Sequence, residues 1–230
     1  MFCITIAEPE LEKIEKKLKE AVSHTELVEI RGDFFENVNR NDLIRILSNF
    51  DCKYIFTFRS KKEGGKKRVS WKKQFEWIDW ALSQEIFYLV DLEYELALKV
   101  GKTERLKNHS SKLLISYHNF KEVPPLKRLL AIIEFTKKLS ANYCKIVCMV
   151  KNFCESLKLL SLIFEAKAKK VKLISFGMGE AGRLSRILSL LAGSPFTYVV
   201  LKEKEAVAPG QLSLNQAKEL YETLKGFVGG

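Results

Sequence analysis

The chain of 230 residues is poor in several things. It has no apolar run approaching the roughly 20 residues that span a bilayer, which excludes a helical membrane protein. Its start, MFCITIAEPELEK, lacks a basic region and turns acidic at Glu8, so no secretory signal is expected. It has five cysteines, an odd number, and no pair with the CxxC spacing of a zinc ribbon or a redox pair. Three of them, Cys3, Cys144 and Cys148, lie inside apolar runs, and all five read as free thiols of a reducing cytoplasm. Histidine is scarce, with only His24, His109 and His118. No Pro-, Gly- or Ser-rich linker divides the chain, and no low-complexity segment interrupts it.

What is present is a globular composition, 47% hydrophobic and 29% charged, with a net charge of +11. That charge raises the question of nucleic acid. The densest basic block is SKKEGGKKR at 60–68, and the remaining lysines alternate with glutamates, as in LEKIEKKLKE, the pattern of a solvated helix face. No RNA-binding signature, finger or basic arm accompanies them. The charge therefore points to a lysine-rich surface and a small anionic ligand, with no nucleic-acid or membrane partner.

Two kinds of segment alternate. Short β-branched and aromatic runs fall at 2–7, 26–31, 54–59, 87–93, 112–118, 143–150, 171–177 and 196–201, and several are apolar throughout, as in strands covered on both faces. Between them the apolar residues repeat with helical spacing. Leu11, Ile14, Leu18 and Val22 share a face after Pro9; Trp71, Phe75, Ile78 and Leu82 share another; Leu126, Leu129, Leu130 and Ile133 follow Pro124 and Pro125. Ser213 is placed to cap a last helix carrying Leu214, Ala217, Leu220, Tyr221 and Leu224. Eight strands alternating with helices predict parallel strands and crossovers, and so a single (β/α)8 TIM barrel over residues 1–230.

Gly177, Gly179 and Gly182 form a literal GxGxxG after the seventh strand, and Glu203 follows at about the spacing of a ribose-binding acid. Only one strand remains after it, too few for a dinucleotide-binding sheet. The segment is expected to be a loop-to-helix junction whose N–H groups face an anion.

In a barrel the reacting groups gather at the C-terminal ends of the strands. Those ends supply Glu29, Arg31 and Asp33; Thr57 and Arg59, with Glu63 soon after; Asp91 and Glu93; Ser116, His118 and Asn119; Lys145; Ser185 and Arg186; and Pro209, Gly210 and Gln211. Residues two apart on a strand point the same way, so carboxylates and cations of several strands converge on one mouth. Lys145 lies in the otherwise apolar YCKIVCMV, where desolvation and nearby arginines lower an amine's pKa and make it a nucleophile toward carbonyls. A structural pairing with Glu29 or Glu93 is the alternative. His118 ends a strand where a general acid–base would stand, with Glu93 or Glu63 to orient it.

The motifs ELVEIRGDFF, TFRSKKEGG, VDLEYE, ISYHNF, KIVCM, MGEAGRLSR and APGQ, in that order, resemble type I 3-dehydroquinate dehydratase, the Schiff-base-forming class of the shikimate pathway. The resemblance runs from the first strand to the last loop. It implies a (β/α)8 barrel, a homodimer, and catalysis without a metal or organic cofactor. The implied roles are Lys145 as the imine-forming lysine, His118 as the catalytic histidine, and Glu93 as the acid supporting it. Glu29, Arg31 and Arg59 match substrate-binding residues, Arg186 the partner of the substrate carboxylate, Gln211 the glutamine of the mobile loop, and Met178 an apolar contact. Two positions depart: Val207 stands where the last loop often has serine, and Phe176 where methionine is common. Two other readings share these residues. One is an aldolase-like lysine-imine barrel with a phosphate site at 177–182. The other is a metal-dependent barrel using Glu29, Asp33, Asp91, Glu93 and His118, in which Arg31 and Arg59 would crowd the cation.

Overall fold

A computed structural model describes residues 1–101 and 103–228. Nine strands alternate with nine α-helices among them. The strands are β1 (Phe2–Ile6), β2 (Leu27–Arg31), β3 (Lys53–Thr57), β4 (Phe87–Glu93), β5 (Leu113–Asn119), β6 (Tyr143–Met149), β7 (Lys172–Met178), β8 (Thr197–Val200) and β9 (Leu212–Ser213). The helices are α1 (Leu11–Ala21), α2 (Arg40–Leu47), α3 (Trp71–Leu82), α4 (Tyr94–Val100), α5 (Glu104–Asn108), α6 (Leu126–Lys138), α7 (Phe153–Ala168), α8 (Arg183–Leu191) and α9 (Leu214–Val228). The eight runs read from the sequence are all strands. The ninth, two residues long, gives the apolar pattern nothing to repeat. The helical stretch after β4 breaks at Gly101, whose φ of 73° is left-handed, and so becomes α4 and α5.

Every ladder is parallel, in the order β7-β6-β5-β4-β3-β2-β1-β8-β9. The sheet curls into a (β/α)8 barrel with the helices outside, as alternation requires. Among the described residues no ladder joins β7 to β8 or β9. That seam is spanned by the Ser194 hydroxyl on the Leu173 carbonyl (2.9 Å) and the Gly179 N–H on the Pro209 carbonyl (3.2 Å). At the last helix Ser213 and Gln216 form a reciprocal capping box, the Gln216 N–H on Ser213 Oγ (3.4 Å) and the Ser213 N–H on Gln216 Oε1 (3.0 Å).

Two apolar layers hold the barrel. Between sheet and helices, Ile14 and Leu18 of α1, Ile78 and Leu82 of α3, and Leu129 and Ile133 of α6 pack on outward strand residues. Trp77 and Trp80 fit against Phe56 and Phe87 with ring centroids 5.2–6.1 Å apart. Trp71 and Leu126, at the helix starts, remain exposed. Inside the barrel, Cys3, Leu27, Ile55, Leu89, Leu114, Tyr143, Ile174 and Phe196 fill the lower half. Two residues further along the same strands the inward positions become Thr5, Glu29, Thr57, Asp91, Ser116, Lys145, Phe176 and Tyr198. The strand period of two thus stacks a mostly polar layer on an apolar floor.

Candidate active site

The polar layer opens into a cavity at the C-terminal ends of the strands, where charged side chains face apolar ones. Glu29, Arg31, Arg59, His118, Lys145, Met178, Arg186 and Gln211 all line it, so eight of the nine residues singled out from the sequence meet in one place. Glu93 does not.

Lys145 points inward from β6, only 6% exposed. Burial first, then Arg59 and Arg31, lowers its amine to about 8, against the opposing pull of Glu29 and Asp91. The carboxylates that could neutralise it are engaged elsewhere. Glu29 accepts from the Thr5 hydroxyl (3.0 Å) and the Thr57 hydroxyl (2.8 Å). Asp91 accepts from Arg59 and from the Ser116 hydroxyl (2.6 Å). The close neighbour of Nζ is instead the ring of Tyr198, whose centroid is 3.7 Å away.

His118 Nδ1 lies 3.0 Å from Glu63 Oε2, which also accepts the His118 backbone N–H at 3.1 Å. Burial, with Arg59, Lys145 and Arg31 behind it, pushes the imidazole well below its ordinary value, so it is neutral at pH 7. Burial and the Glu93 charge push Glu63 up. Of the two acids expected to orient the histidine, Glu63 makes the contact, and Glu93, the one the resemblance implies, is bonded elsewhere. Glu93 turns at the end of β4 to accept the Ser60 N–H at 2.7 Å, and it lies 3.8 Å from Arg59. That contact anchors the loop that carries Glu63 in a 3-10 turn, Lys61–Glu63. Gly65 closes the turn so tightly that a Cβ there would fall 2.0 Å from the Arg59 carbonyl oxygen.

The arginines are held in fixed poses. Arg31 makes a bidentate pair with Asp33 at 2.8 and 2.9 Å. Asp33 is fully buried and also accepts the N–H groups of Arg59 (3.3 Å) and Lys66 (2.9 Å), so one carboxylate ties β2 to the loop after β3. Arg59 donates to Ser116 Oγ (2.7 Å) and to Asp91. Asp33 and Asp91, which could otherwise serve a metal, are thus taken by guanidinium groups.

Arg186 of α8 differs from both. It is 2% exposed, its Nη2 donates to the Pro209 carbonyl (2.9 Å), its guanidinium lies 4.5 Å from the Phe176 ring, and its Nε has no partner among the described residues. Desolvation, then Arg183, presses its pKa down, yet a guanidinium remains charged at neutral pH. A buried, half-satisfied cation on a cavity wall is a receptor for an anion. The glycine turn beside it spends its glycine N–H groups internally. The N–H groups of Gly177, Gly179 and Gly182 are bonded to Ser185 Oγ, the Pro209 carbonyl and the Gly179 carbonyl, so none is free for an anion. Gly182 is required because a Cβ would lie 2.4 Å from the Gly177 backbone.

Gln211 roofs the cavity. Its Oε1 accepts the Val207 N–H (3.0 Å) and its Nε2 reaches Thr5 Oγ1 (3.4 Å), anchoring the end of a loop that the sequence presents as weakly held. Met178, Phe176, Val147, Phe120 and Val207 supply apolar walls. Tyr198 and Phe120 escape sequence reasoning because an aromatic in a strand or loop reads as core.

Fold and site define a (β/α)8-barrel enzyme for a small ligand. Among its described residues no helix is long and apolar enough to cross a membrane. The family model for type I 3-dehydroquinase matches residues 2–227, and the chain belongs to that family of hydro-lyases. A 3-dehydroquinate dehydratase of Pyrococcus abyssi is 33% identical over 212 residues, covering 90% of this chain and 94% of that protein. Solved structures agree. The type I 3-dehydroquinate dehydratase of Clostridium difficile, in a structure with covalently modified comenic acid, is 27% identical with a TM-score of 0.82, over 97% of this chain and 91% of that one. The 3-dehydroquinate dehydratase of Geobacillus kaustophilus is 25% identical with a TM-score of 0.83, over 99% and 92%.

Proposed function

We propose that this chain dehydrates 3-dehydroquinate to 3-dehydroshikimate through an imine on Lys145, a step of aromatic amino acid biosynthesis by the shikimate pathway. The observation that carries the reading is a buried amine near neutrality facing a buried, half-satisfied guanidinium across one cavity. The substrate is a cyclic β-hydroxy ketone with a carboxylate. Removing a proton beside a ketone leaves an unstable carbanion, and an iminium is a far better electron sink. The unprotonated fraction of Lys145 attacks the carbonyl carbon, and loss of water gives the iminium.

His118, neutral and held through Nδ1 by Glu63, keeps Nε2 for chemistry. It takes the proton next to the iminium carbon and returns a proton to the departing hydroxyl, so the net loss is one water. Water then releases the product from Lys145. Arg186 pairs with the carboxylate, while Glu29, Arg31, Arg59 and Gln211 hold the ring hydroxyls and Met178 contacts the carbon skeleton. Orientation of this kind contributes up to ~7–11 kcal/mol. No organic cofactor or metal takes part in this scheme. The covalently modified comenic acid of the Clostridium difficile relative is in keeping with covalent chemistry in a protein of this family.

The same reading has the chain act as one catalytic domain, in the cytoplasm, as a homodimer. The dimer draws support from Phe153, Leu157 and Phe164, which α7 leaves exposed. The test is borohydride reduction in the presence of 3-dehydroquinate. It is expected to give a stable secondary amine on Lys145 by peptide mass mapping, with an ultraviolet signal for the conjugated product in the unreduced reaction. An adduct on another lysine, or turnover with no adduct, refutes the assignment.

A further inference from the structure

We propose that Tyr198 is a positioning residue for Lys145: the face of its ring seats Nζ in the cavity and shares its positive charge. Tyr198 is an inward residue of β8, in register with Cys3 of β1, and 4% exposed. Phe196, two residues earlier and also inward, meets it edge-on with centroids 5.5 Å apart, which fixes the tilt of the ring. Two strands away, across the seam, Lys145 projects inward from β6 so that Nζ lies 3.7 Å from the Tyr198 centroid, well inside cation–π range.

The groups facing this amine from the other elements are Cys3 of β1, Glu29 and Arg31 of β2, Arg59 just after β3, Asp91 of β4 and His118 of β5; burial keeps the Cys3 thiol protonated. The guanidinium groups are paired, Arg31 with Asp33 and Arg59 with Asp91, and Glu29 is held by two hydroxyls while its charge still favours the ammonium. The ring is the group against which Nζ itself rests. The Tyr198 hydroxyl takes no part, for it is buried without a hydrogen-bond partner among the described residues, and burial keeps it protonated. The seat is therefore the π face.

This inference rests on the imine reading for its meaning, since the nitrogen stays cationic when the amine becomes an iminium and the same ring face serves both. Its test does not use 3-dehydroquinate. The rate of reductive methylation of Lys145 by formaldehyde and borohydride, followed by peptide mass mapping across pH, reports the amine directly. A desolvated cation–π contact is strong enough to hold an amine up by about one pH unit. Tyr198→Leu is expected to move the rising limb of that profile down by about one unit and to lower kcat. Tyr198→Phe keeps the ring and is expected to leave the limb in place. Should the leucine variant fail to fold, fluorinated phenylalanines at 198 keep the shape while draining the π face, and a graded downward shift with fluorine number is expected. A limb unmoved across the fluorinated series overturns the proposal, as does a shift in Tyr198→Phe as large as in Tyr198→Leu. An absent 3-dehydroquinate adduct with a normal methylation series would instead overturn the proposed function.

Discussion

Replacing Lys145 by methionine is expected to abolish activity and stabilise the fold. The amine falls from 10.5 to about 8 when the chain folds, with burial as the chief cause. Each pH unit is about 1.4 kcal/mol, so holding the ammonium in the folded protein costs roughly 3 kcal/mol below pH 8. The sign follows from proton counting. Between about 8 and 10.5 the unfolded chain keeps the proton that the folded chain has released, so wild-type stability rises through that window. Methionine fills similar space with no charge to desolvate, and its advantage is largest below pH 8 and fades toward pH 10.5. In a chain of this size ~1 kcal/mol moves Tm by about 2–4 °C, so the gain near pH 7 is about 6–12 °C. The assay is thermal or urea unfolding of both proteins from pH 6 to 10, compared as a difference so that other titrating groups cancel. A variant no more stable than wild type at pH 7, or a difference that stays constant from pH 7 to 10, refutes the reasoning.

Three further outcomes follow from the site. His118→Ala is expected to lose ~10²–10⁴-fold in kcat while Lys145 still yields a borohydride adduct, and Glu63→Gln to lose more of kcat than Glu93→Gln; the reverse order would restore Glu93 as the support of the histidine. Arg186→Ala is expected to raise KM by roughly 10- to 100-fold, and Arg186→Lys to recover only part, because an ammonium lacks the planar fork; unchanged KM in both places the carboxylate elsewhere. Gln211→Ala removes the bonds to Val207 and Thr5, so trypsin is expected to cut at Lys202 and Lys204 faster than in wild type, and the borohydride adduct to slow cutting in wild type. Equal rates throughout mean that the loop is no lid.

The alternation of strands and helices was legible because each strand sits between helices and an apolar floor, which leaves a pattern at both periods. The site was legible where a polar residue interrupts that pattern, as Lys145 does in YCKIVCM. The choice between Glu93 and Glu63 as the partner of His118 was not. Glu93 shares a face with Asp91 by spacing, but spacing says nothing of the Ser60 N–H that captures its carboxylate. Glu63 reaches the histidine from a 3-10 turn, where no period exists to read. The glycines of 177–182 misled in the same way, since their spacing suits an anion while their N–H groups are consumed by Ser185 and by the chain itself. Tyr198 was invisible because an inward aromatic at the site is spelled like one in the floor.

The seam between β7 and the β8–β9 edge has a consequence for how the barrel breathes. The eight ladders must break whole rows of backbone hydrogen bonds to part, whereas the seam is held by a few contacts that gather on Pro209 and Leu173. Openings of lowest free energy in a folded chain occur where few such bonds are lost. Arg186, Phe176, Met178 and Gln211 all stand along that line, so an opening there would loosen the wall of the cavity that carries the guanidinium without disturbing the strands that carry Lys145 and His118.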